Sequence, residues 1–257
     1  MAGAGFVAGL LGAMVQAGTP LLLASLGEIV SERAGVLNLG VEGMMLVGAL
    51  TGFATTVWTG SPWLGVLVGA GAGAARLPDI GLPRFGPTHA GVLVAIAAVA
   101  VIRLLIARTE FGFEIVVTGS NPEAARQAGM NTGWIYMLVL ALGGALAGVA
   151  GAVEIAGVQG KLQPAFSPGY GFTAIPIALL GRRGAGRVLL AALFFAVLIV
   201  GGSSMEITFG VPAALVEVIQ ALVILFLITA EFFKRYRVDL VRAEPGPGAG
   251  ADPEVEA

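Results

Sequence analysis

Eight apolar runs dominate this chain, at roughly 6–27, 39–58, 62–75, 89–107, 134–156, 172–181, 188–205 and 211–233. Most approach the ~20 residues an α-helix needs to cross the hydrocarbon core of a bilayer. Lipid offers the backbone no water, so runs of this length must close their own hydrogen bonds as helices. The pattern predicts an all-α, polytopic transmembrane helix bundle of about eight spans. Two runs are short. The 62–75 run is marginal for a full crossing. The 172–181 run borrows residues from Pro168 onward and reads as a broken helix. A broken helix survives in a membrane only where its freed backbone faces protein or a water-filled cavity.

Composition points the same way. Apolar residues make up 57% of the chain and charged residues 12%. A soluble fold carries about 25% charge and must still cover its surface with something polar. The 40 glycines fit close helix packing, because disorder requires low hydrophobicity and high charge. Glycines recur four residues apart at Gly5 and Gly9, Gly48 and Gly52, Gly65 with Gly69 and Gly73, and Gly144 and Gly148. Each set marks one helix face where a neighbour can come close, either within the chain or at a dimer or pore-lining contact. The start, 1–9, lacks the basic region of a cleavable leader, so the first run reads as a retained helix.

Basic residues gather on the cytoplasmic side of membrane proteins. Lys234, Arg235, Arg237 and Arg242 follow the last run, which predicts a cytoplasmic C-terminus. Counting four crossings back puts 108–133 in the cytoplasm, and the basic turn Arg182, Arg183 and Arg187 falls on the same side. Arg33 sits beside Glu28 and Glu32 and leaves the N-terminal half without a direction. Residues 1–242 read as one transmembrane domain. Residues 243–257, rich in Pro, Gly and acid, read as a disordered acidic tail.

Several chemistries are excluded by what the chain lacks. Without cysteine there is no disulfide framework, thiolate metal site or Cys nucleophile. His89 is the one histidine and reads as an interfacial residue at a helix start, so no metal site is expected. Neither lysine, Lys161 nor Lys234, follows the glycine pattern that cradles phosphates, so no nucleotide cofactor is expected. A net charge of −2 argues against a nucleic-acid partner. No Gly-x-Ser-x-Gly elbow is present, and the chain does not read as an enzyme.

Carboxylates in apolar runs are costly and tend to mark function. Glu154 and Glu217 read as interface residues that reach water. Glu42 is different, because Asn38, Gly40 and Gly43 surround it. A glycine-rich polar stretch beside an apolar run points to irregular backbone near a cavity. The longest polar insert is 108–133. Its centre is punctuated as a short helix: Asn121 caps it, Pro122 takes its first position, Glu123 sits in its first turn and Gly129 ends it. Such a helix is either a docking knob for a cytoplasmic partner or a cover for the bundle.

Two long motifs, SERAGVLNLGVEGMMLVGAL at 31–50 and TEFGFEIVVTGSNPEAARQAGMN at 109–131, resemble those of the inner-membrane permeases of ABC importers. The class is the one serving branched-chain amino acids, simple sugars and nucleosides, and the wording is nearest to the nucleoside branch, which works with basic-membrane-protein-like lipoproteins. ALGGALAGVAGAVEIAG at 141–157 and the 169–181 stretch are similar to the spans that follow. The resemblance implies a multi-pass cell-membrane subunit working by alternating access. Its partners would be a second permease subunit, a separate ATPase and an extracytoplasmic substrate-binding lipoprotein. Asn121, Pro122, Glu123, Ala125 and Gly129 would then form the coupling helix that meets the ATPase. Asn38 and Glu42 would line the path of a small polar solute, and Phe166, Tyr170 and Phe172 would stack on it near the outer face. Nucleosides or simple sugars are the expected cargo. Ribose or branched-chain amino acids are the alternative within the class, and a stand-alone secondary transporter or channel is the alternative outside it. The chain departs from that pattern at one place. GAGAGAA at 69–75 runs straight into RLPDIGLPRFGP at 76–87, where such permeases continue with a further membrane segment.

Overall fold

The computed structural model describes residues 2–70, 84–85, 88–159, 169–181 and 184–235. In chain order the helices are α1 (Ala2–Arg33), α2 (Val41–Thr59), α3 (Pro62–Gly69), α4 (Gly91–Arg108), α5 (Glu110–Ser120), α6 (Pro122–Gln127), α7 (Thr132–Val153), α8 (Tyr170–Gly181), α9 (Ala185–Phe209) and α10 (Ala213–Arg235). Each apolar run of the sequence forms one of them. Five stretches are long and apolar enough to cross a membrane: Gly5–Arg33, Val41–Thr59, Gly91–Arg108, Thr132–Gln159 and Gly186–Phe209. Tyr170–Gly181 and Glu217–Phe226 are shorter apolar helices. The fold is the all-α polytopic bundle that the runs predict, short members included.

Three features go beyond that pattern. A two-residue antiparallel pairing joins β1 (Arg84–Phe85) to β2 (Thr88–His89) just before α4. The polar insert carries an additional helix, α5, ahead of the expected α6. Its N-terminus is capped by Thr109, whose hydroxyl accepts from the Gly112 N–H at 3.0 Å. The end of α7 widens into a π-helical turn over Glu154–Gln159. Turns of this kind are rare and often sit at functional sites.

The core lies between α1, α2, α7, α8 and α9, around Leu21, Leu23, Leu26, Ile29, Val139, Ala147, Ile177 and Phe195. α2 and α7 pack backbone to backbone. A Cβ at Gly48 would collide with the Gly148 backbone, and one at Gly52 would lie 2.5 Å from the Ala152 side chain. Met44 reaches Gly144 in the same register, so the two helices run parallel. α3 returns along α2, with Gly65 against Gly52 and Gly69 against Gly48. α1 crosses α7 where Gly27 meets Gly143, at 2.7 Å from a built Cβ to the Gly143 carbonyl. Glycine pairing is thus structural on these helices, where no side chain separates the backbones. Gly5 and Gly9 instead face open space.

Both ends of the bundle can be identified from such contacts. At one end, Gly119 of α5 presses on the Arg33 carbonyl and Ala34. At the other, Gly91 meets Val153, and His89 packs on Gly157 of the π turn. His89 stands just before α4, at the helix start expected of it, and is 1% exposed. The fold of β2 and the π turn covers it on a side that the sequence does not display.

Candidate functional site

α2 does not begin at the edge of the bundle. Its register with α7 sets Val41 opposite position 141, nine residues after α7 starts, or roughly 13 Å along its axis. The 34–40 stretch that leads to it is irregular, with Gly35 at φ 79°. This non-helical backbone links α1 to α2, buried at Ala34 and Asn38 and exposed at Gly35, Leu37, Leu39 and Gly40. Asn38 is 5% exposed and sits here. Its backbone N–H donates to Glu28 Oε1 at 3.2 Å, and its Oδ1 accepts from the Gly40 N–H at 3.1 Å. The side-chain amide therefore holds the loop in shape, and the backbone N–H locks it to α1.

α8 begins at the same place. The first N–H groups of any helix lack intrahelical partners. Glu42, half-buried in the first turn of α2, supplies one: its Oε2 accepts from the Gly171 N–H at 2.6 Å. Gly171 allows this approach because a Cβ there would lie 2.5 Å from the Glu42 backbone. Two helix starts thus meet within the bundle around one carboxylate, a geometry suited to holding a polar ligand among apolar walls.

The sequence-derived residues divide accordingly. Asn38, Glu42 and Tyr170 come together at this junction, and Tyr170 is buried at 7% exposure. Phe172 projects outward at 62% exposure. Phe166, Arg182, Arg183 and the 243–257 tail lie outside the described residues. Gly40 and Gly43 line a cavity of about 560 Å³ with Met44, Gly48, Gly69 and Ala141. Gly69 and Ala70, at the end of α3, form part of its lining.

Two further carboxyl groups, outside the sequence-derived site set, are buried. Glu28 is 1% exposed, and its Oε2 has no hydrogen-bond partner among the described residues. Glu154 is 2% exposed, which corrects its reading as an interface residue. It opens the π turn, whose i→i+5 winding re-aims side chains that ordinary helical spacing would leave elsewhere. Its Oε1 accepts from Gln159 Nε2 at 2.9 Å. The only signal available was charge inside an apolar run.

The polar 108–133 insert is built as its punctuation predicts. Asn121 Oδ1 accepts from the N–H groups of Glu123 and Ala124 at 3.1 and 3.0 Å. Pro122 takes the first position of α6, and Gly129 follows in the left-handed region at φ 84°. Glu123 is exposed and pairs with Arg126 at 3.5 Å. Arg126 Nε also donates to Thr132 Oγ1 at 3.1 Å, tying α6 to the first residue of α7. Ala125 is fully buried and anchors the helix from beneath.

Comparison with known proteins adds the class. A glucose ABC transporter permease protein of Haloferax volcanii is 44% identical, with 95% of this chain and 82% of the relative covered. A putative glucose ABC transporter permease protein of the same organism is 34% identical, over 75% and 76%. A guanosine ABC transporter permease protein of Bacillus subtilis is 28% identical, over 84% and 80%. No solved structure matches. The alignment to the first relative runs over 314 residues, whereas 95% of 257 is about 244. About 70 aligned positions therefore have no counterpart here, in agreement with the departure after Ala75. The family profile described as branched-chain amino acid transport system / permease component matches residues 10–76 and 79–228, with its only break at that departure. This chain belongs to that permease family.

Proposed function

We propose that this chain is a membrane-spanning permease subunit of an ATP-driven ABC importer for a small polar solute, of the sugar or nucleoside kind. The observation that carries this reading is the α5–α6 insert. α6 is capped at both ends, shows Glu123 and Arg126 to solvent, and is tied to α7 by Arg126. Two turns of exposed helix held this firmly serve force transfer better than mere cover. The relatives named for glucose and guanosine support the cargo class.

The ATP-hydrolysing sites reside on a separate ATPase subunit, a second permease subunit completes the pore, and an extracytoplasmic binding lipoprotein delivers the solute. The 108–133 insert and the C-terminus lie in the cytoplasm. Asn121, Pro122, Glu123 and Gly129 shape the coupling helix, and Ala125 seats it. Asn38, Glu42 and Tyr170 line the path. Movement of α6 pulls on α7 through Arg126. Movement of α5 pushes on the 33–35 turn through Gly119, and that turn leads to Asn38 and Glu42. The bundle thereby shifts between two packings, each open to one side.

Co-purification tests the assignment. The intact chain, expressed with the ABC ATPase subunits of its own organism, should retain one of them through detergent extraction. An ATPase that never associates sinks the importer reading and favours a stand-alone transporter or channel.

A further inference from the structure

Charge inside a membrane span is costly, so an ionised side chain there faces a partner or a polar cavity. α4 carries such a residue. Leu93, Ile96, Val101 and Leu104 are exposed along this span, which runs from Gly91 to Arg108. Arg103 stands among them, five residues before the end of the helix, or about 7 Å along its axis. It is exposed on the single chain and has no hydrogen bond or ion pair among the described residues.

Arg103 lines a cavity of about 340 Å³ between three helices, within the range of about 300–1,000 Å³ common to ligand sites. Ile29 and Arg33 of α1 form one wall, Arg103 and Ala107 of α4 a second, and Gly184 and Gly186 at the start of α9 a third. Among the described residues, the lining holds two guanidinium groups and no carboxylate. Arg103, Ala107 and Gly186 are exposed, so the rim is open beside the apolar face of α4. A Cβ at Gly184 or Gly186 would meet nothing within 4 Å, which leaves backbone within reach of a ligand. α9 starts there without a side-chain cap, and its first N–H groups add to the pull of the two arginines on an anion. This is the end of the bundle at which Gly119 of α5 presses on the Arg33 carbonyl.

We propose that this cavity binds the phosphate headgroup of an anionic lipid, held by Arg33 and Arg103, in the leaflet on the α5–α6 side of the membrane. A guanidinium takes two phosphate oxygens at once through parallel N–H bonds. Basic pockets between spanning helices suit headgroups of this charge. The exposed apolar residues Val101 and Leu104 beside Arg103 point to lipid as the source of the phosphate. They offer acyl chains a surface that a free phosphate ion would not use. A zwitterionic headgroup brings an ammonium group that both arginines repel. Bound there, the lipid ties the end of α1 to α4 and to the start of α9.

The test titrates the purified, delipidated full chain in neutral detergent with phosphatidylglycerol, phosphatidylcholine or inorganic phosphate. Native mass spectrometry reads what is retained. Wild type should hold one phosphatidylglycerol at concentrations where neither of the other two is held. Arg103→Gln should weaken that retention about fivefold or more, and Arg103→Lys should weaken it less. Arg108→Gln, at the end of α4 and outside the cavity lining, should leave it unchanged. Removing a charge from an apolar span relieves a cost, so Arg103→Gln should insert normally. A photoactivatable phosphatidylglycerol on wild type should label 102–107 or 184–187, which decides the matter even for a variant that fails to insert. Unchanged retention in Arg103→Gln overturns the proposal, as does label confined to other segments. Equal loss in Arg108→Gln reduces the effect to diffuse charge and overturns it. Equal retention of phosphatidylcholine, or displacement of the lipid by inorganic phosphate, overturns the lipid assignment. Release of the lipid when the ATPase and second permease subunit assemble makes the cavity a subunit contact and overturns it too.

Discussion

The carboxylate of Glu42, on the first turn of α2, accepts a 2.6 Å hydrogen bond from the backbone N–H of Gly171, 129 residues further along the chain. One side chain thereby fixes where two helices start inside the bundle. Removing such a cap costs about 1–2 kcal/mol. That is too little to unfold a bundle of this size and enough to loosen the start of α8. Glu42→Ala should therefore insert at near-normal levels while uptake falls at least about tenfold. Quantitative immunoblots of membranes beside initial uptake rates check this. Normal uptake removes Glu42 from the path.

The coupling helix offers a separable prediction. Gly129 sits at φ 84° with nothing within 4 Å of a built Cβ. Gly129→Ala thus meets no clash but costs about 1 kcal/mol of backbone strain. Combined with Glu123→Ala, it should uncouple ATP hydrolysis from uptake and leave insertion intact. Solute-stimulated hydrolysis and uptake, measured on the same vesicles, report the split. Unchanged values for both count against docking through α6.

Gly119 is expected to behave differently. A Cβ there collides with the Arg33 carbonyl and crowds Ala34. Gly119→Ala should leave α6 and its exposed face in place, so the ATPase still binds, but the 33–35 turn is displaced and uptake drops. Pull-down of the ATPase together with an uptake assay tests this. Retained uptake excludes the turn as a transmission element.

Orientation follows from packing as well as from charge. α1 ends beside α5, whereas α2 ends and α4 starts beside the far end of α7. A cytoplasmic 108–133 then places Ser61 outside and Ser120 inside. The chain has no cysteine, so Ser61→Cys and Ser120→Cys can be labelled singly with a membrane-impermeant maleimide. In intact cells Ser61→Cys should react and Ser120→Cys should not until the membrane is opened. The reverse pattern inverts the topology.

The helices were legible in the sequence because lipid enforces run length and internal hydrogen bonding. The punctuation of α6 was legible because Asn121, Pro122 and Gly129 act on their own backbone within a few residues. Burial was not legible in the same way. Glu154 lies near the end of an apolar run, where a long side chain ordinarily reaches water. Its fate is decided by the π turn and by α1 and α2, which pack on that turn from far back in the chain. His89 is hidden by contact with Gly157, and Glu28 by the turn that brings Asn38 against it. Glu42 stood out through its glycine neighbours, but its partner Gly171 did not. Phe172 is exposed on the single chain, a feature that local sequence does not display.

ATP-driven uptake is the most direct measurement of the central claim. Vesicles containing this chain, its ATPase, its second permease subunit and its binding protein should accumulate radiolabelled glucose or guanosine only when ATP is supplied to the ATPase side. Accumulation should vanish when the ATPase is left out. Uptake that proceeds without ATP or without the ATPase contradicts the importer assignment.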